Sequence, residues 1–176
     1  MDINFNQVNQ RRRANYIPYE GTVIEINTFD TNNRRSSGCS QIVTVEDFDG
    51  NIANFIVSPD TYVVDMITLY EGLEVIFFYD PSLPVPLIYP PRYQAAIVTQ
   101  KLEGVNVIAG YFNYILLNQE ASLRLNIGGN TQVVTKNNQT FLGNPANKNL
   151  IVFYGATTRS IPAQTNPDRI IVMCES

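Results

Sequence analysis

The stretch "LEVIFFYD", Leu73 to Asp80, is answered later in the chain by "NLIVFYGA", Asn149 to Ala156. Both are short apolar runs, rich in β-branched and aromatic residues, which is the pattern of a buried strand. The match has company. "FIVSPDTYV" is echoed by "VTKNNQTFL", "IVTVEDFDGN" by "LRLNIGGNT", and "GTVIEI" by "GYFNYI". Gly110 stands 89 positions after Gly21, and Phe153 stands 75 after Phe78, so the order is kept while the spacing shrinks. A second copy with shorter loops would look like this, and a repeated unit resets the domain count. The expected organisation is an arm at 1–18, a first β unit at 19–100 and a second at 101–176.

Within the first unit the strand text reads "GTVIEINT", "SQIVTVEDF", "NIANFIVS", "LEVIFFYD" and "QAAIVTQ". Asp49-Gly50 between two alternating runs is a hairpin signal, because glycine accepts the positive φ of a tight turn. "NIGGNTQ", Asn126 to Gln132, reads as the equivalent turn of the second copy. The segment "SPDTYVVDMITLYEG" lies where a helix often sits between strands three and four, but its β-branched residues favour a loop or extended chain. Five short strands per unit fit a small Greek-key barrel of the OB type. The expected fold class is therefore all-β, two tandem OB-like five-stranded barrels from an internal duplication, with a single β-sandwich as the alternative.

Composition narrows the function. Across 176 residues the net charge is −4, with three lysines at 101, 136 and 148, so the global field repels phosphate backbones. Nucleic acid is a disfavoured partner. The chain contains no histidine, which removes the commonest general base at neutral pH and every Ser-His or Cys-His arrangement. Glu46, Asp47 and Asp49 crowd one hairpin tip, where they do not oppose each other across a cleft as a glycosidase pair must. "EDFDGN" also lacks the later ligands of a Ca²⁺ loop, and "NIGGN" lacks the lysine of a phosphate loop. No metal, cofactor or catalytic residue is expected, and the reading is non-enzymatic. Cys39 and Cys174 suit free thiols, and whether they pair stays open. The first residues lack an apolar core and the longest mainly apolar run, "VIAGYFNYILL", is far short of a membrane span, so the expected location is cytoplasmic without membrane contact.

Two lengthened connections of the first unit hold the candidate binding residues. "TFDTNNRRSSGCS", Thr28 to Ser40, joins strands one and two, and "DPSLPVPLIYPPRY", Asp80 to Tyr93, joins strands four and five. These are the loops that flank the binding face of an OB barrel. Together they offer Arg34, Arg35 and Arg92 as cations and Tyr79, Tyr89 and Tyr93 as flat amphipathic rings, a combination favoured at interfaces. The competing reading is that Leu87, Ile88 and Tyr89 plug the barrel while the arginines are solvated, and Leu87 and Ile88 are expected to seek burial in either case. The expected partner is a protein or a second copy of the chain, with a carbohydrate or small polar ligand on the same surface as the alternative and an enzyme of unknown type as the third reading.

The segments "NFIVSPDTYVVD" and "FFYDPSLPVPLIYPPRYQAAIV" resemble a group of short uncharacterised proteins from clostridia and related Firmicutes, over about residues 40 to 98. The similar pattern there is "PDTY" followed by "FYD" and "PVPLIYPP.Y". The resemblance implies no activity and transfers no residue role. In the second copy "FYGATTRSIPAQTNPDR" stands in place of the prolines and tyrosines, so a function tied to that block belongs to the first copy alone.

Overall fold

The computed structural model describes residues 13–29 and 37–174, and these form an all-β protein. Its first half contains β1 (Ile17–Thr28), β2 (Gln41–Glu46), β3 (Ile52–Val57), β4 (Tyr62–Val63), β5 (Glu74–Tyr79), β6 (Arg92–Gln94) and β7 (Ile97–Gln100). The second half contains β8 (Asn106–Phe112), β9 (Leu123–Leu125), β10 (Gln132–Thr135), β11 (Lys148–Tyr154), β12 (Ala163–Thr165) and β13 (Arg169–Val172). A single 3-10 turn at Val64–Met66 follows β4, so "SPDTYVVDMITLYEG" is largely non-helical.

The first strand organises the first half. Ile17 to Thr22 pairs antiparallel with β5, while Thr22 to Thr28 pairs antiparallel with β2. A register shift between Val23 and Glu25 marks a bulge, which bends a strand and lets one segment serve two neighbours. Glycine at 21 permits the approach of β2: a Cβ there would lie 2.4 Å from the Glu46 carbonyl oxygen. β3 then adds to β2, β6 adds parallel to β3, and β7 adds antiparallel to β5. Only Ala95 and Ala96 separate β6 from β7, so one nearly continuous segment pairs with both β3 and β5.

The second half follows the same order with one weak link. β8 pairs with β11, β11 with β13, β13 parallel with β10, and β12 parallel with β9. In place of β2 there are only bridges, Phe112 to Asn118 and Leu117 to Arg124. Gly21 faces Val75 across the ladder and Gly110 faces Leu150, three residues before Phe78 and Phe153 respectively.

The hydrogen bonds move two of the expected equivalences. Asp47 accepts from the amides of Asp49 and Asn51 at 2.9 and 2.8 Å, and Asn118 likewise accepts from Ser122 and Leu123 at 2.8 and 3.0 Å. The segment that resembles the first hairpin in its hydrogen bonds is Asn118–Leu123, and "NIGGNTQ" is the connection from β9 to β10. That connection matches "SPDT": Thr61 Oγ1 accepts from the Ser58 amide and donates to the Ala95 carbonyl, as Thr131 Oγ1 does with Gly128 and Pro167. By these bonds "FIVSPDTYV" is like "LRLNIGGNTQV" and not "VTKNNQTFL". The first hairpin also differs in detail. Its turn spans Asp47 to Gly50, closed by the Gly50 amide on the Asp47 carbonyl, with Gly50 at φ 83°. This is a three-residue loop ending in a left-handed glycine, not a two-residue turn at Asp49-Gly50.

Three layers of apolar side chains follow from strand alternation. Val75 and Phe77 of β5 point into the first half with Val43, Val45 and Phe55. Leu150 and Val152 of β11 point into the second half with Phe112, Ile170 and Val172. The opposite faces of these strands meet each other. Ile76 and Phe78 pack with Ile97, Ile151, Ile171 and Met173 in a layer shared by both halves. Both faces of β5 and β11 are buried, which is why "LEVIFFYD" and "NLIVFYGA" are continuous apolar runs.

Of the expected arm at 1–18, residues 1–12 lie outside the described residues. The remainder is part of the fold: Ile17 and Pro18 open β1, and Asn15 bridges to Gly110.

Candidate functional site

The proline connection runs from the end of β5 to the start of β6 and is anchored at both ends. Tyr79 and Tyr93 stack face to face, centroids 4.0 Å apart with planes at 14°. Tyr93 also lies 5.6 Å from Phe55, which stacks on Phe77 within the first core and meets Tyr19 at 5.5 Å. Tyr19 donates its hydroxyl to the Asn51 carbonyl, and the Pro91 carbonyl accepts from the Asn54 amide. The connection is thus riveted to the β2–β3 hairpin by rings and backbone together. Burial raises the Tyr79 phenol above its ordinary range, and its hydrogen-bonded neighbour Tyr93 adds to the effect.

Between these anchors the side chains turn outward. Leu87 is fully exposed, Tyr89 is 85% exposed and Ile88 is 50% exposed, with Leu83 and Val85 also on the surface. Contrary to expectation, Leu87 and Ile88 therefore do not enter the core of the first half. Phe55 and Phe77 occupy the interior of the first half, with the two tyrosines packed against them. Prolines 81, 84, 86, 90 and 91 restrict the loop, which also closes on itself through Ser82 and Leu83 bonding to Asp80. The Tyr89–Pro90 bond is cis.

Arg92 brings the two long connections together at their bases. Its guanidinium carbon lies 5.3 Å from the centre of the Phe29 ring, the first residue beyond β1. Between them spreads the outer face of β2, β3 and β6. Since Val43, Val45, Ala53 and Phe55 point inward, alternation places Ile42, Thr44, Ile52 and Asn54 on this face, where all four are half-buried. Thr44 Oγ1 donates to Asn54 Oδ1 at 2.6 Å.

Of the six residues singled out from sequence, Tyr79, Tyr89, Arg92 and Tyr93 fall on one connection, and Arg34 and Arg35 lie outside the described residues. Tyr79 and Tyr93 brace the loop, Tyr89 is exposed, and Arg92 is half-buried over Phe29. Sequence reasoning missed Phe29, Tyr19 and Asn54. Phe29 had a visible signal, an aromatic residue at the first position of a lengthened connection; Tyr19 and Asn54 are joined to the site only by tertiary pairing.

The surrounding charge is acidic. Glu20, Glu46, Asp47 and Glu74 line a shallow groove beside the exposed Phe48, relieved by Lys101, which pairs with Glu20 at 2.8 Å. Among the described residues no group of three or more metal-ligating side chains is close enough to hold an ion. Cys39 and Cys174 are unpaired and exposed. No described helix is long and apolar enough to cross a membrane. No known protein family, curated protein or solved structure matches this chain.

Proposed function

We propose that this protein is a non-enzymatic interaction module, built as two OB-like barrels by internal duplication, and that it docks a protein partner through the long connections of its first half. The ladder order β1–β2–β3–β6/β7–β5–β1 supports the barrel reading, as do the matched ladders and threonine turns of the two halves. In OB barrels the face of strands two and three, flanked by these two connections, is the usual binding surface.

The observation that carries the functional reading is a proline-braced loop that holds Leu87 and Tyr89 in solvent. A loop with no partner gains nothing from exposing large apolar side chains, whereas an interface gains area at low entropic cost when rings and prolines are fixed beforehand. Arg92 over Phe29 adds the type of cation that interfaces favour. The groove of glutamates and aspartates disfavours a polyanion.

Size-exclusion chromatography with light scattering across a range of concentrations tests the reading. Self-association should appear and be lost in the Tyr89→Ala, Arg92→Ala double variant. A monomer at every concentration, together with no stable partner recovered that depends on Leu87 and Tyr89, would defeat it. Glycan binding lost in the same double variant would replace the protein partner with a carbohydrate on the same surface.

A further inference from the structure

The two halves complete β8 and β1 differently. In the first half, the flank of β1 beside Gly21 is taken by β2, with Thr22 opposite Glu46. In the second half the equivalent of β2 is reduced to two bridges, Asn118 to Phe112 and Leu117 to Arg124, which leave the flank beside Gly110 to another segment. That segment comes from the far end of the chain. Asn15 bridges antiparallel to Gly110, and the Tyr111 amide donates to the Ala14 carbonyl at 2.9 Å.

The contact is fitted residue by residue. Ala14 is only 5% exposed, and its amide donates to the side-chain oxygen of Asn149, itself 8% exposed, at 3.0 Å. A Cβ at Gly110 would lie 3.1 Å from the Ala14 carbonyl oxygen, so glycine on β8 and alanine on the strap together permit the close approach. The guanidinium of Arg13 sits over the Tyr111 ring, 4.8 Å from its centre. Backbone pairing supplies affinity and the side-chain seats supply selectivity, which is how sheets recognise added strands.

We propose that the second half carries a strand-accepting slot, formed by Gly110, Tyr111 and Asn149, whose ligand class is an extended peptide with a cationic residue followed by a small one, and that Arg13–Asn15 fills it in cis. This site is separate from the proline connection and stands on different observations. It makes the N-terminal segment the clasp between the halves: Asn15 is bound to the second half, and only Tyr16 separates it from the start of β1 in the first.

Two measurements on the full chain test the slot. In the unaltered protein, hydrogen exchange read by NMR should slow the Ala14 and Tyr111 amides on the order of a hundredfold relative to exposed loop amides. Free exchange at both would overturn the proposal, and this readout does not depend on any variant folding. In an Ala14→Arg chain the clasp is too large for its seat. A fluorescent peptide spanning Asn9 to Pro18 should then bind at least about tenfold more tightly than to the unaltered chain, whose slot is held by a tethered segment at millimolar effective concentration. The same peptide with leucine at the Ala14 position should not bind. Equal binding to both chains, or to neither, would overturn the proposal.

Discussion

At the residue scale, Asp65 and Arg169 form an ion pair between the halves, bonded through both terminal guanidinium nitrogens at 2.6 and 3.0 Å. The hydrogen bond to Arg169 lowers the Asp65 pKa below its ordinary value, outweighing the opposing effect of partial burial. A lowered carboxylate contributes stability that is present above its unfolded value, about 3.9, and lost as pH falls through the lower folded value. Asp65 is more than half exposed, so solvent screening keeps the contribution to roughly 0–1 kcal/mol. Asp65→Asn should therefore lower the urea midpoint slightly at pH 7 and lose that effect once the pH falls below the lowered folded value, which paired denaturation curves will read. Gly21→Ala belongs to the same scale with a larger effect. Its Cβ would meet backbone at 2.4 Å, so the ladder between β1 and β2 must shift, and a loss of about 1–3 kcal/mol or more is expected in the same assay.

At the element scale, the matched turns Ser58–Thr61 and Gly128–Thr131 each hang on one threonine hydroxyl that both accepts and donates. Replacing it by valine keeps the shape and leaves an amide and a carbonyl unpaired. Thr61→Val and Thr131→Val should each cost about 1–3 kcal/mol, measurable by chemical denaturation, and equal losses are expected if the two turns serve the same role. The turns also explain why the strand vocabulary misaligned the copies. "NIGGNTQ" has the glycines of a hairpin, and "EDFDGN" is a hairpin, so composition paired them; the partner of each threonine, Ala95 or Pro167, is more than thirty residues away and cannot be read locally. The outward turn of Leu87 was hidden for a related reason. Hydrophobicity says that a residue gains by burial, but the interior of the first half is occupied by Phe55 and Phe77, with Tyr79 and Tyr93 packed against them.

At the scale of the whole molecule, the shared layer of Ile76, Phe78, Ile151 and Ile171 binds the halves into one cooperative unit. Calorimetry should show one transition whose calorimetric and van't Hoff enthalpies agree; two resolved transitions would mean independent halves. Phe78→Ala, at a position with no exposure, should lower that transition by about 3–5 kcal/mol without splitting it. The all-β class and the central strand of each half were determined by sequence alone, because β-branched and aromatic runs between turn residues state a strand wherever they occur. The Gly21–Gly110 and Phe78–Phe153 spacings also match the ladder registers, since identity along a strand survives as position across it. Only the tertiary structure decided which faces of β5 and β11 meet each other, that Ala14 clasps β8, and that the proline connection points its apolar side chains outward. Those outcomes depend on which surfaces compete for the same space, and that competition takes place between residues far apart in the chain.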